Sequence, residues 1–417
     1  MKISVRLVVA FSLAIALCQT LSAQEAFPFK AGDRVMFLGD SITEQYQYSS
    51  DIELYLATRF PAWKLSFMNA GIGGDTATGG ANRFQQQVLD EKPTVVTINF
   101  GMNDGGYGAF DTNRHKPYVE NTTKMVKMAK EAGVRPVLIS PNAVDWRKNK
   151  DRLVYLETQK QFYAPLKEIA AANQVPFVDQ YAATRATLEK LVADKADNVD
   201  PFPDSVHTDS DGGLLMAHAI LTGLNAPAMV SEATIAQSGE AQTVRCMVTN
   251  VKRAEGSLEF DRLDEALPFP TTSDWDAMLP YVNNLTDLNW YGLKAPGMAA
   301  GTYSIAIDGM EIAKHSADEL SKGVNLGNVR VGSVYTQAKK VADAITAKNA
   351  IVHSRFRGVI LASVPDWLAD AAAERKPKEL VKRKQQIDEK QTEIQALAMP
   401  LKHRWEVKLD KALAEAL

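Results

Sequence analysis

The chain has two cysteines in 417 residues, Cys18 and Cys246, and only Cys246 lies outside the apolar N-terminal run. If that run is removed, an intramolecular disulfide is excluded, and burial must hold the fold together. Histidine is also sparse: His115, His315, His353 and His403 follow no metal-ligand spacing, so no metal and no other cofactor is expected. Neither a Gly-x-x-x-x-Gly-Lys-Ser/Thr loop nor a dinucleotide fingerprint after the first strand is present, which argues against phosphate-cradling chemistry. The formal charge is −3, from 47 basic and 50 acidic residues, and nothing in it suggests a nucleic-acid partner. No transmembrane span is expected beyond the N-terminal segment.

That segment sets the expected compartment. Lys2 and Arg6 precede the apolar run Leu7–Cys18, and Leu21-Ser22-Ala23 ends it with small residues, which reads as a signal peptide over 1–23 and a secreted or periplasmic product. Leu17 stands before Cys18 where a lipoprotein signal has a small residue, so a lipid anchor is not expected. With 46% hydrophobic residues the chain can bury the core of one large domain and an addition to it.

The most informative pattern is three apolar runs that each end in a polar or glycine-rich loop. Val35-Met36-Phe37-Leu38 leads into Gly39-Asp40-Ser41, Leu65–Met68 into Asn69–Asp75, and Val95–Phe100 into Gly101-Met102-Asn103-Asp104. Parallel α/β sheets bind ligands at the C-terminal ends of their strands, and in the order 2-1-3-4-5 the second and third strands flank the first. That order would place Gly74 and Asn103 on either side of Ser41. A fourth segment, Asp204-Ser205-Val206-His207, offers a carboxylate and an imidazole three residues apart, close enough to meet in one turn. A serine hydroxyl needs such a base, and the base needs a group to orient it. Gly39-Asp40-Ser41-Ile42-Thr43 lacks the closing glycine of the Gly-x-Ser-x-Gly elbow, which argues against an α/β-hydrolase.

These four blocks, in this order and spacing over about residues 33 to 224, resemble those of the GDSL or SGNH hydrolases, named for Ser, Gly, Asn and His. The resemblance implies a three-layer α/β/α, flavodoxin-like parallel sheet and a serine ester hydrolase with no cofactor. Carried over residue by residue, it implies Ser41 as nucleophile, Asp204 and His207 as its catalytic partners, and an oxyanion hole of the Ser41 N–H, the Gly74 N–H and the Asn103 amide. Among Gly71, Gly73 and Gly74, the last is chosen because it stands directly before Asp75-Thr76.

Each of these residues also has a plainer reading. Ser41 can cap a helix, Asn103-Asp104 can form a turn, Asp40 reads as a local hydrogen-bonding residue, and His218 in an apolar helical stretch reads as a buried histidine. The alternation of strand and helix continues through Pro136–Ile139, a helix over about Leu153 to Asn173, and Val175–Val178, giving a hydrolase domain over 28–230. Beyond it, Thr243–Val248, Ser257–Phe260 and Thr302–Ile307 read as strands of a small β module over 231–330, appended or inserted. Tyr281, Trp290 and Tyr291 within it suit core packing or stacking on sugar rings. Residues 331–417 read as a helical region broken at Pro365, Pro377 and Pro400, with a narrow stripe of Leu380, Ile387, Ile394 and Leu401. The expected substrate is an acylated saccharide or a lipid. Carbohydrate deacetylation is the leading reading, beside a lysophospholipase or thioesterase and, in another class, a noncatalytic glycan-binding or assembly protein on the same scaffold.

Overall fold

Val35–Leu38 is apolar without interruption, as a strand covered on both faces must be, and it forms the buried centre of strand β1 (Arg34–Gly39). The structure is a computed structural model that describes residues 27–410, so the expected signal segment 1–23 lies outside the described residues. Strands β1, β2 (Ser66–Gly71), β3 (Val95–Asn99), β4 (Arg135–Ile139) and β5 (Phe177–Val178) form one all-parallel sheet in the order β2-β1-β3-β4-β5. Helices α1 (Ser41–Glu44), α2 (Gln47–Arg59), α3 (Ala77–Gln87), α4 (Thr112–Glu131), α5 (Arg152–Asn173), α6 (Gln180–Ala193) and α7 (Ser210–Gly223) connect and flank it. This is the three-layer arrangement and strand order that the sequence predicts. Two neighbours of β1 therefore end beside Ser41.

Past residue 228 the chain builds two further sheets. Strands β6 (Met229–Ile235), β7 (Ala241–Val244), β8 (Cys246–Ala254), β9 (Ser257–Asp264), β10 (Trp290–Lys294), β11 (Thr302–Ile307), β12 (Met310–Ser316), β13 (Val324–Asn325) and β14 (Lys402–Leu409) give the orders β13-β10-β6-β7 and β12-β11-β14-β9-β8. Between these sheets lies Arg262, fully buried, which donates to Asp264 Oδ1 at 2.8 Å, Ser231 Oγ at 2.8 Å and the Gly292 carbonyl at 3.0 Å. The rings of Tyr291 and Trp405 lie 4.4 and 5.0 Å from its guanidinium, so Tyr291 is a core residue here.

Two expectations for the last third are corrected. The region read as wholly helical contains β14, which runs antiparallel between β9 and β11 with His403, Trp405 and Val407 turned inward. The long helix Ala369–Ala398 also passes through Pro377 without a break. Pro377 lies on an exposed stretch, where water can satisfy the carbonyl it releases one turn earlier. Ile387 and Ile394 of the stripe are buried, whereas Leu401 is 60% exposed and stands beyond the helix end.

A preceding helix, Gly332–Arg355, docks the C-terminal part against α2. Its Lys348 donates to Glu53 of α2 in an ion pair with side chains 0% and 1% exposed. Asn349 adds bonds to Ser50 Oγ at 3.0 Å and Glu53 Oε2 at 3.3 Å.

Candidate active site

Ser41 follows β1 by one residue, Asp40, and is the first of α1, so its N–H has no acceptor within the helix. Asp40 caps that helix, its Oδ1 accepting from the Ile42 N–H at 3.0 Å. Burial pushes the Asp40 carboxyl up to about 7 against the lowering effect of that bond, and the nearby carboxylates of Asp104 and Asp75 raise it further. Its contacts are those of a positioning group behind the serine.

Ser41 Oγ lies 2.8 Å from His207 Nε2, and His207 Nδ1 lies 2.7 Å from Asp204 Oδ2. The carboxylate assigns the imidazole proton to Nδ1 and leaves Nε2 to accept from the hydroxyl. Asp204 Oδ1 also accepts from the N–H groups of Val206 at 2.9 Å and His207 at 2.7 Å, which closes the three-residue turn. Partial burial pushes the Asp204 carboxyl up, but the bonds from the His207 ring and from both N–H groups outweigh it and hold the group below its ordinary value. It therefore stays ionised where the imidazole needs a counter-charge. Ser205 adopts φ +74°, and the turn is anchored to the loop after β4 by the Asp145 N–H on the Ser205 carbonyl at 2.9 Å.

The glycine loop is sorted by its own hydrogen bonds. The Gly71 N–H donates to Asn69 Oδ1 at 2.8 Å and the Gly73 N–H to Glu44 Oε2 at 2.5 Å, while the Gly74 N–H has no partner among the described residues. Gly74 has φ +75°, a conformation that costs glycine little and a side-chain-bearing residue more. The next residue, Asp75, is gripped by Arg83 Nε on its Oδ2 at 2.8 Å, and Arg83 also reaches the Gly39 carbonyl at 3.2 Å.

Asn103 follows β3. Its Nδ2 donates one hydrogen to the Asp75 carbonyl at 2.9 Å, and its Oδ1 accepts from the Tyr107 hydroxyl at 3.0 Å. The amide orientation is thereby fixed, with the second Nδ2 hydrogen left over. Asp104 latches the same two loops together by accepting from the Ala77 N–H at 2.9 Å, and burial pushes its carboxyl up to about 7.

The structure thus brings Ser41, His207 and Asp204 into one hydrogen-bonded chain, and the strand order and the Asn103–Asp75 bond join the loops that carry Gly74 and Asn103 at the same end of the sheet. Sequence reasoning gave no role to Tyr107, Arg83 or Glu44, and no local pattern marks them. Glu44 and Arg83 reach backbone groups of other segments, at Gly73 and Gly39, and Tyr107 holds the Asn103 amide from within the same loop. His218 is half-buried and meets Asp287 Oδ2 at 3.2 Å; burial holds its imidazole below the ordinary value, and that carboxylate acts in the opposite sense. Among the described residues, no group of three or more His, Cys, Asp or Glu side chains is placed to hold a metal ion.

Such an arrangement can activate a hydroxyl, receive its proton and place up to three donors around a developing oxyanion. If Asn103 is one of the donors, Asn103→Ala should lower kcat on an acetyl ester by about 10²- to 10³-fold with little change in KM. Steady-state kinetics decides this, and a kcat within about fivefold of the parent would remove Asn103 from the hole.

Comparison with known proteins points the same way. Residues 37–212 match the profile of the GDSL-like lipase/acylhydrolase family. The solved structure of a gut microbial diltiazem-metabolizing enzyme superposes with a TM-score of 0.80 at 26% identity, over 93% of this chain and 99% of its own. The acetylxylan esterase of Geobacillus stearothermophilus is 24% identical over 217 residues, which are 46% of this chain and 93% of that enzyme. An uncharacterized lipoprotein of Bacillus subtilis is 33% identical over 97 residues, and the chain spans only 38% of its length.

Proposed function

We propose that the chain, whose residues 37–212 match the GDSL-like lipase/acylhydrolase family, is a serine ester hydrolase of that kind and removes small acyl groups, acetyl foremost, from hydroxylated substrates such as saccharides. The observation that carries the reading is the hydrogen-bonded chain from Ser41 Oγ through His207 to Asp204. Ser41 Oγ attacks the ester carbonyl while His207 Nε2 takes its proton, and Asp204 stabilises the imidazolium. The tetrahedral oxyanion is met by the Ser41 and Gly74 N–H groups and the Asn103 amide. His207 returns the proton to the departing alcohol, and water repeats the sequence on the acyl-serine.

The substrate class is supported by the similarity to an acetylxylan esterase. Export is part of the proposal, supported by the basic, then apolar, then small-residue order of 1–23 and by the similarity to a lipoprotein. No helix among the described residues is long and apolar enough to cross a membrane.

A nitrophenyl ester series from acetyl to palmitoyl tests the reading. We expect kcat/KM to fall by at least about tenfold between acetyl and octanoyl, the amount that roughly 1.4 kcal/mol of differential transition-state binding produces. A rise toward long chains would transfer the assignment to a lipid acylhydrolase, and no hydrolysis at any length would favour a noncatalytic glycan-binding role.

A further inference from the structure

The Gly73–Gly74 segment is held by a side chain that is itself held from the far end of the protein. Glu44, the last residue of the four-residue helix that Ser41 begins, accepts the Gly73 N–H on Oε2 at 2.5 Å. Its other oxygen, Oε1, meets Arg357 Nε at 2.9 Å and lies 3.6 Å from His353 Nε2. The Glu44 side chain is 18% exposed and that of Arg357 44%. His353 comes from the docking helix Gly332–Arg355, and Arg357 from the π-helical turn Phe356–Ile360 that continues it. Both lie outside the family-matched residues 37–212. The loop and α1 are also in direct contact: a Cβ at Gly71 would stand 2.3 Å from the Glu44 backbone nitrogen.

The geometry points to Arg357 as a positioning residue for the oxyanion hole, acting from the C-terminal region through Glu44. A loop with glycine at 71, 73 and 74 has more backbone freedom than one with side chains at those positions, whereas a donor to an oxyanion is effective only when fixed in advance. The Glu44 carboxylate fixes the amide directly before Gly74. Left alone, that carboxylate is a flexible side chain with water as its alternative partner. Arg357 holds it in one rotamer by a charge-assisted bond from a helix that is anchored, two turns earlier, by the buried Lys348–Glu53 pair. The C-terminal region thereby contributes to catalysis without touching the substrate. This inference rests on the proposed serine hydrolase activity for its kinetic consequence, but not for its structural one.

Two readouts on the full chain test it. In Arg357→Ala, kcat on an acetyl ester should fall about 5- to 10-fold, part of what a lost hole donor costs, at unchanged KM and melting temperature, and Arg357→Lys should recover most of it. Added to Glu44→Gln, Arg357→Ala should cost less than about twofold more, since both act through one contact. Independently of activity, hydrogen exchange in a peptide covering residues 71–76 should be faster in Arg357→Ala and return toward the parent rate in Arg357→Lys. Unchanged exchange, a loss carried by KM, or additive effects of the two substitutions would each overturn the relay. A parent protein that hydrolyses no ester would refute the proposed function instead, and the exchange measurement would still decide whether Arg357 positions the loop.

Discussion

Ser41→Ala is expected to lower kcat by about 10⁵- to 10⁶-fold, His207→Ala by nearly as much, and the double variant by no more than either alone. The three side chains form one path for a proton, and a path cut at one point is not cut further at a second. Asp204→Asn should cost about 10⁴-fold, because an amide at that position favours the imidazole tautomer with its proton on Nε2, where it cannot accept from the hydroxyl at 2.8 Å. Residual hydrolysis in each variant would come from the oxyanion hole and from substrate binding. Single-turnover and steady-state rates on an acetyl ester check these values. Multiplying losses in the double variant would show that Ser41 and His207 do not act as a unit.

The second large effect concerns stability. Lys348→Met keeps the length of the side chain but leaves the Glu53 carboxylate buried opposite an apolar group, and should destabilise the protein by about 3–5 kcal/mol. Burial already pushes the Glu53 carboxyl up and the Lys348 amine down, so each tolerates its site only with the other present. Adding Glu53→Leu should restore most of the loss, because two apolar side chains of similar volume avoid desolvating any charge. Urea unfolding of the parent, the single and the double variants measures both steps. A single variant within about 1 kcal/mol of the parent would mean that water reaches Glu53 and that the docking helix is held by its apolar face instead.

Much of the hydrolase half was legible because its signals are local. Val35–Leu38 is a continuous apolar run and Val95–Ile98 is interrupted only by Thr97, and each leads within five residues to a residue of the site, Ser41 or Asn103. The turn from Asp204 to His207 was legible for the same reason, since its two side chains meet within three residues. The C-terminal part was not. Lys402–Leu409 alternates as a strand should, with 403, 405 and 407 buried, yet it follows a helix of thirty residues and pairs with strands about 100 and 145 residues earlier. No local pattern marks Lys348 or Arg357, and only a partner from the first sixty residues gives either a function. Among the three glycines, sequence position selected Gly74, and the hydrogen bonds of Gly71 and Gly73 supply a separate physical reason for that choice.

The central claim is that a serine at the end of β1 is the nucleophile, activated by an imidazole 166 positions along the chain. Treatment of the parent protein with a fluorophosphonate, followed by digestion and mass spectrometry, tests it most directly. The account predicts one phosphonylated residue, Ser41, with labelling slowed by several orders of magnitude in His207→Ala. An adduct on any other residue, or a parent protein that takes no label while still hydrolysing its ester, would contradict it.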